Sequence, residues 1–314
     1  MASPTPKPRK RPAQPPAQVE IVDPRWLLKA IGITFFAAIF CAYLTFCYLF
    51  YQGQWQLILH PVHTAAAPQS IAGAPYELIH FSPDESATPQ LAGWWIPAAP
   101  NSRYSHTTLL FLPGSDGSLT DSIPTLAALH NLGINVFAFD YRGYGQSASI
   151  RPNQINMLHD AEAAWQYLTT TRDIPAQQLV PYGTGVGASL AAHLADAHST
   201  IPALILDSPH TDLLDVARRD PRSRYIPLSL LFHENFPLAQ PLSALHTPKL
   251  LISRASSPNK AFLTASDPKV TVELASPSKT LYAQSLTHFL DEYIPSAPAS
   301  QLVPTPAPST QNPH

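Results

Sequence analysis

The stretch LVPYGTGVGASLAAHLA (179–195) passes from a short apolar run through three glycines into a segment rich in alanine and leucine. The run Leu179–Tyr182 has the length of a strand and the composition of one buried on both faces of a sheet. The glycines that follow predict a tight turn, and the pattern over Val186–His198 predicts a helix. A strand that leads directly into a helix is the building unit of parallel sheets.

The same alternation extends to both sides of this stretch, from about residue 72 to residue 296. Short apolar runs alternate with helical stripes, which predicts an α/β domain with a mostly parallel, eight-stranded sheet and helices on both faces. The first two predicted strands have no helix between them, so we expect them to form an antiparallel hairpin at one edge. The predicted strands are Tyr76–Phe81, Leu91–Ile96, Thr108–Leu112, Asn135–Phe139, Leu179–Tyr182, Ala203–Leu206, Lys249–Ser253 and Val270–Leu274.

An uncharged segment of 22 residues, Ala30–Tyr51, precedes this domain. At about 1.5 Å per residue it would be roughly 33 Å long as a helix, enough to cross a hydrocarbon core of about 30 Å. We therefore predict a transmembrane helix over residues 25–52. It is longer than the apolar region of a signal peptide, so we expect an uncleaved anchor rather than a cleaved leader.

The distribution of charge predicts the orientation of this anchor. Six basic residues precede the uncharged segment Ala30–Tyr51, and the next Lys or Arg is Arg103. The positive-inside bias then places the N-terminus in the cytoplasm and the domain on the outer, periplasmic side. Residues 1–24 are predicted to be a disordered cytoplasmic tail, residues 53–296 the α/β domain, and residues 297–314 a disordered proline-rich tail.

Composition excludes several classes of function. The chain of 314 residues has a net charge of −2, so no basic surface predicts binding to nucleic acid. Its two cysteines, Cys41 and Cys47, lie in the apolar segment and point to different faces of a helix, so we predict no disulfide. No set of His, Asp, Glu or Cys has the spacing of a metal site, and no nucleotide-binding fingerprint occurs. We therefore predict no metal and no cofactor.

Four stretches together resemble a known family. They are LLFLPGSDGS (109–118), NLGINVFAFDYRGYGQS (131–147), LVPYGTGVGASLAAHLA (179–195) and ALILDSPHTDL (203–213). In this order they resemble the α/β-hydrolase superfamily. They are most similar to its membrane-anchored serine-hydrolase branch, the group of α/β-hydrolase-domain-containing protein thirteen and the serine aminopeptidases. The resemblance spans about residues 55–295 and implies the α/β-hydrolase fold.

The resemblance also implies where a catalytic triad would lie, and all three positions depart from the family's pattern. The family's nucleophile is the Ser of G-x-S-x-G, which here reads Gly183-Thr184-Gly185-Val186-Gly187, so the nucleophile position holds Gly185. The loop expected to carry the acid, residues 254–259, has no Asp or Glu. The loop expected to carry the histidine, residues 275–279, has no His, while His288 falls inside the last predicted helix. These losses predict a protein without acyl-transfer chemistry, since the triad acts as a unit.

We expect the residues that bind the substrate in the family to keep their arrangement in this chain. The family's oxyanion hole would correspond here to the amides of Val186 and Ser115. Asp116 either repels an oxyanion in this loop or shapes its turn, and the sequence favours neither. The candidate binding residues are Gly114, Ser115, Asp116, Thr184, Gly185 and Val186.

Two classes of function follow from these observations. The first is a membrane-tethered, catalytically inactive protein that binds a small molecule, a lipid or a protein partner. The alternative is an active ester, acyl or peptide hydrolase with displaced residues, in which Ser115 or Ser118 works with His210, or Asp207 and His210 activate water. A third possibility is that the proline-rich tails are the functional parts and the domain is a spacer.

Overall fold

The computed structural model describes residues 23–64, 67–83, 88, 90–210, 213–254, 259–274 and 279–294. The chain divides into two units, Met1–Phe50 and Tyr51–His314. The predicted tails fall almost wholly outside the described residues, as do residues 255–258 and 275–278 of the two loops expected to carry the acid and the histidine.

The first helix, α1, runs over Pro24–Gly53. It is long and apolar enough to cross a membrane, and no residue of its most apolar stretch is buried. A helix in the core of a soluble domain would be mostly buried, so the exposure of α1 is what a lipid-facing helix requires.

The main sheet has eight strands, as the sequence predicts. The chain has ten strands in the described residues: β1 His60–Pro61, β2 Glu77–Phe81, β3 Leu91–Ile96, β4 Tyr104–Leu112, β5 Asp116–Gly117, β6 Ile134–Asp140, β7 Leu179–Thr184, β8 Leu204–Asp207, β9 Lys249–Ser253 and β10 Lys269–Glu273. The order in the main sheet is β10-β9-β8-β7-β4-β6-β3-β2. The first two strands of this sheet, β2 and β3, pair antiparallel at the edge, β3 also runs antiparallel to β6, and the remaining pairs are parallel. The pair β1–β5 forms a separate small sheet that the sequence did not predict, because two-residue strands carry no periodicity.

Helices cover the two faces of this sheet. The remaining α-helices are α2 Ile123–His130, α3 Gln154–Gln166, α4 Gly187–Ala197, α5 Leu213–Arg218, α6 Leu228–Leu231, α7 Ala239–Ala244, α8 Lys260–Thr264 and α9 Lys279–Tyr293. On one face, α2 and α9 pack on the sheet through the buried side chains of Leu126, Leu129, Leu286 and Phe289. The helices α3 and α4 contact each other and pack on β4 and β7. This arrangement is the α/β-hydrolase fold, and it brings the ends of β4, β7 and β8 to one edge.

The turn after β6, within DYRGYGQS, is held by two buried carboxylates. Asp140 is 4% exposed and accepts hydrogen bonds from the backbone N–H groups of Leu119 (2.7 Å) and Gln146 (3.4 Å). Arg142 donates its backbone N–H and its Nε to Asp160, at 2.9 and 2.6 Å, and the Asp160 side chain is fully buried. These bonds tie the turn to two neighbouring segments of the fold.

Candidate functional site

The turn between β7 and α4 keeps the geometry of a nucleophile elbow. Gly185 has a φ of +53°, a left-handed conformation that side chains rarely adopt. The flanking glycines have a different reason: a Cβ on Gly183 would lie 2.3 Å from the oxygen of Gly187, and one on Gly187 would lie 2.2 Å from the oxygen of Leu112. Close packing therefore requires Gly183 and Gly187, while Gly185 keeps the backbone of an elbow without its side chain.

The space above Gly185 faces His210. A Cβ added to Gly185 would lie 3.5 Å from Cδ2 and 3.6 Å from Nε2 of His210, and 3.3 Å from the Cα of Gly114. The sequence leaves the family's base position empty, since residues 275–279 hold no His. The structure instead brings a histidine to the elbow from the loop after β8.

The contact between Gly185 and His210 follows from the pairing of two strands, which the periodicity of the sequence does not reveal. The neighbouring parallel strands β7 and β8 pair Thr184 with Asp207. Gly185 is one residue beyond that pair and His210 is three residues beyond it. Two loops that leave adjacent parallel strands at the same edge meet above the sheet, so the pairing of the strands implies the contact.

Ser115 is the second partner of His210. Its Oγ lies 3.3 Å from Nε2 of His210, and Ser115 is 1% exposed. His210 as a whole is exposed, yet desolvation of its ring lowers the pKa of the imidazole below its ordinary value. A lowered pKa favours the neutral ring, the form that can accept a proton. The predicted pairing of Ser115 with His210 is thus present as a hydrogen bond, while its chemical role stays a prediction.

The two backbone amides predicted to form an oxyanion hole lie in the loops that follow β4 and β7. Ser115 follows the end of β4 and Val186 is the residue before α4. Neither backbone N–H donates a hydrogen bond within the described part of the chain. Thr184 closes β7, and its Oγ1 lies 3.8 Å from the position that a Cβ on Gly114 would take. The loop of Gly114 and the elbow therefore meet as the family's architecture requires.

Asp116 lies in the small sheet and contacts His60 of the paired strand. Its Oδ1 lies 2.7 Å from Nδ1 of His60, and both side chains are largely exposed. Its negative charge nevertheless raises the pKa of His210, against the larger lowering by desolvation. Of the two interpretations of Asp116, its contact with His60 favours the one in which it shapes the loop.

Ser118 does not share the position of Ser115. Its hydroxyl lies 2.6 Å from that of Thr120, and its backbone N–H donates to the carboxylate of Asp121 at 2.9 Å. Together with Asp121 it forms a capping box at the helical turn Leu119–Ser122. Ser118 therefore stabilises this helical turn, and within the described residues its hydroxyl makes no contact with His210.

Asp207 is bonded to Arg254 rather than to His210. It is 3% exposed and accepts hydrogen bonds from Arg254 (2.7 Å) and from the hydroxyl of Tyr182 (2.7 Å). The Tyr182 hydroxyl lies 2.6 Å from that of Tyr282 on α9. The predicted Asp207–His210 pair is therefore not formed as a hydrogen bond. Sequence reasoning missed this network because its members are up to 100 residues apart and no local pattern links them.

A segment that we name the cover segment, residues 213–238, lies over the elbow. Leu213, Phe236 and Leu238 line a cavity with Gly185 and His210, and that cavity measures only about 10 Å³. A cavity of this size holds about one water molecule. Phe236 is held by its N–H to Oε1 of Gln154 (2.9 Å), and Ser189 on α4 donates to the oxygen of Pro237 (2.6 Å). The cover segment thus leaves little space directly above Gly185 among the described residues.

Groups that could hold a metal ion are not found among the described residues. The site therefore combines a histidine that can accept a proton, a buried hydroxyl and two backbone amides around Gly185. Such a set can bind a carbonyl or carboxylate oxygen.

Comparison with known proteins identifies the family of this chain. A family model described as serine aminopeptidase, S33 matches residues 105–293. The chain is 32% identical over 167 residues to the uncharacterized protein Rv2307c of Mycobacterium tuberculosis, covering 53% of this chain and 57% of that protein. It is 32% identical over 164 residues to the human α/β hydrolase domain-containing protein 17C, covering 52% of this chain and 46% of that protein. The chain thus spans about half the length of the curated relatives it matches.

Solved structures show the same fold. An esterase of Pyrococcus furiosus, Pf2001, superimposes with a TM-score of 0.58 at 18% identity, covering 76% of this chain and 98% of that one. An α/β hydrolase of Vibrio vulnificus gives a TM-score of 0.51 at 19% identity, covering 64% of this chain and 77% of that one. At such identities the likeness establishes the α/β-hydrolase fold alone.

Proposed function

We propose, for a chain that belongs to the serine aminopeptidase S33 family, a membrane-anchored protein without Ser-Asp-His acyl transfer that binds a ligand or partner at its former active site. The observation that carries this proposal is Gly185, which has the elbow's left-handed backbone and no side chain. A glycine cannot form an acyl-enzyme. The proposal leaves the ligand's class open between a small molecule, a lipid and a protein.

The lost acid supports the same proposal. The strand β9 ends at Ser253, and the next residue, Arg254, presents a cation that pairs with Asp207. A cation here cannot orient an imidazolium, which requires a carboxylate. The loop 254–259 contains no acidic residue, and the loop 275–279 contains no histidine.

Anchoring by α1 is the second part of the proposal. The exposure of its apolar residues and the basic residues that precede it support a single span with the N-terminus in the cytoplasm. The domain then lies on the outer side, which is the periplasm in a bacterial cell. Protease added to intact spheroplasts should digest the domain, and protection of the domain would reverse the orientation.

The activity test uses the full chain in detergent micelles. A series of p-nitrophenyl esters from short to long acyl chains is assayed together with a fluorophosphonate probe. We expect no turnover and no labelling above a heat-inactivated sample. Saturable turnover that is lost in the His210→Ala variant would refute the proposal.

A second candidate function, a hydrolase that uses Ser115, is favoured by one observation. Ser115 Oγ lies 3.3 Å from Nε2 of His210, within reach of a proton transfer. In such a reaction Nε2 takes the hydroxyl proton while Oγ attacks the substrate carbonyl. The leaving group then departs with that proton, and water releases the acyl group. The burial of Ser115 and the small volume of the cavity count against it, because the substrate must reach Oγ.

Two serine variants distinguish this candidate. Ser115→Ala should abolish fluorophosphonate labelling if Ser115 is the nucleophile. Ser118→Ala is the matched control, since Ser118 is three residues away in the same loop but caps a helical turn. Equal labelling of the wild type and both variants would exclude Ser115.

A further inference from the structure

The outer face of the cover segment exposes apolar and basic side chains together. Leu230 is 79% exposed and Tyr225 is 67% exposed, so neither side chain packs in the interior of the domain. The cover segment holds four arginines, two aspartates and Glu234, which is buried at 2% exposure, in a chain whose net charge is −2. The cover segment is therefore a local cationic and apolar patch on a chain that is slightly acidic.

Two of the four arginines have no acidic partner within the described part of the chain. Arg218 pairs with Asp215 at 2.7 Å, and Arg222 pairs with Asp220 at 2.8 Å. The other two are Arg219 and Arg224, both exposed. Their guanidinium groups are free to bind anions such as phosphates, for which the planar group of arginine is well suited.

The cover segment is also tied to the last turn of α1 and to the residue that follows it. The ring centroids of Tyr51 and His233 are 4.6 Å apart. Gln54, which is 1% exposed, donates from Nε2 to the oxygen of Leu231 (2.9 Å) and accepts at Oε1 from the N–H of His233 (2.9 Å). Gln54 comes one residue after the end of α1. Leu230 is next in sequence to the bonded Leu231, so this tie holds it close to the point where the chain leaves α1.

We propose that the outer face of the cover segment, formed by Arg219, Arg224, Tyr225 and Leu230, docks onto the surface of an anionic lipid bilayer. The proposal rests on the anchoring by α1 proposed above. Tyrosine is enriched where protein meets the headgroup region, leucine enters the acyl boundary, and arginines near the surface are attracted to anionic headgroups. The tie through Gln54 keeps Leu230 close to the point where the chain leaves α1, so docking is an intramolecular event with a high effective concentration.

Lipid quenching of a fluorophore tests this proposal on the full chain. With Cys41 and Cys47 changed to alanine, the Leu230→Cys variant is labelled and reconstituted into vesicles that contain brominated lipids. The vesicles are made of phosphatidylcholine alone or of phosphatidylcholine with phosphatidylglycerol. Leu281→Cys, on α9 and 55% exposed, is the matched control. We expect quenching at residue 230 to exceed that at residue 281 by about threefold with phosphatidylglycerol present, and the excess to fall in high salt.

The arginines are tested in the same system. Arg219→Gln together with Arg224→Gln should reduce the excess quenching at residue 230 roughly twofold in anionic vesicles and leave it unchanged in phosphatidylcholine. Equal quenching at residues 230 and 281 would overturn the proposal. A label at residue 230 that is shielded from both brominated lipid and aqueous iodide would overturn it in favour of a protein partner or a second copy.

A third label separates this proposal from the anchoring on which it rests. A chain that keeps only Cys41, in the middle of α1, reports whether that helix lies in the bilayer. Quenching at Cys41 without quenching at residue 230 would refute the docking of the cover segment alone. No quenching at Cys41 would refute the anchoring itself.

Discussion

The turn after β6 and the residues after β9 lie at the same edge of the sheet and differ in what they have kept. At the end of β6, the buried Asp140 and the largely buried Arg142 hold the turn through backbone N–H groups and an ion pair with the buried Asp160. After β9, residues 254–259 contain no acidic residue, and Arg254 bonds to Asp207 of the neighbouring strand. The first region is thus held by backbone hydrogen bonds and a buried ion pair, and the second by an ion pair whose arginine is half-exposed.

The difference follows from what each set of residues does for the folded chain. Removing one member of a buried, hydrogen-bonded pair leaves a charge without compensation, which is costly whatever the protein's function. An ion pair with a half-exposed member, such as Arg254–Asp207, contributes less, because solvent screens it. The two regions should therefore differ in how much they stabilise the fold, and mutations can test this difference.

The largest effect is expected for Asp160→Ala. This change leaves Arg142 nearly buried without its partner and should lower the free energy of unfolding by about 3–5 kcal/mol. For a domain of this size, that corresponds to a fall in Tm of roughly 10 °C. Thermal unfolding of the full chain in micelles, followed by near-UV circular dichroism, measures it.

Arg254→Ala and Asp215→Ala are the comparisons for that experiment. Arg254 is half-exposed, and Asp207 keeps Tyr182 as a donor, so we expect a loss of only about 1–2 kcal/mol. Asp215→Ala breaks an exposed ion pair and should change stability by less than about 0.5 kcal/mol. A loss at Arg254 as large as that at Asp160 would contradict the distinction between the two regions.

A pH-dependent effect is expected at Asp140. Burial raises the pKa of this carboxyl to about 6 from 3.8, more than its backbone N–H donors lower it. A raised pKa gives stability below pH 4 that is lost as the pH rises through about 6. From pH 4 to pH 7 the wild type should therefore lose about 1–3 kcal/mol relative to Asp140→Asn, which cannot ionise. A constant difference in the free energy of unfolding between the two proteins across this range would show that the pKa is not raised.

A modest effect on stability, about 1 kcal/mol, is expected for Gly185→Ser, since a side chain enters a left-handed conformation. Its chemical effect is the more informative. The new hydroxyl would lie within reach of Nε2 of His210, so we expect fluorophosphonate labelling at least about tenfold above that of Gly185→Ala, which shares the strain but has no hydroxyl. Labelling that persists in Gly185→Ser with His210→Ala would show that His210 does not act as the base.

The predictions from sequence were most accurate where periodicity is strong. Each of the eight predicted strands of the main sheet is present, and Leu91–Ile96 and Lys249–Ser253 have the predicted bounds. The antiparallel edge is confirmed as well. The two-residue strands β1 and β5 were missed, because their pairing depends on His60 and Asp116 meeting across 56 residues of chain.

The sequence by itself determined the hydrolase fold, the apolar helix α1 and the loss of a side chain at Gly185. These depend on composition, alternation and a local motif, which a linear chain displays directly. Only the tertiary structure placed His210 over Gly185, bonded Asp207 to Arg254 and Tyr182, and gave Ser118 a capping role that Ser115 lacks. The physical reason is that side-chain partners across a sheet are set by strand order and register, which bring together residues distant in the chain.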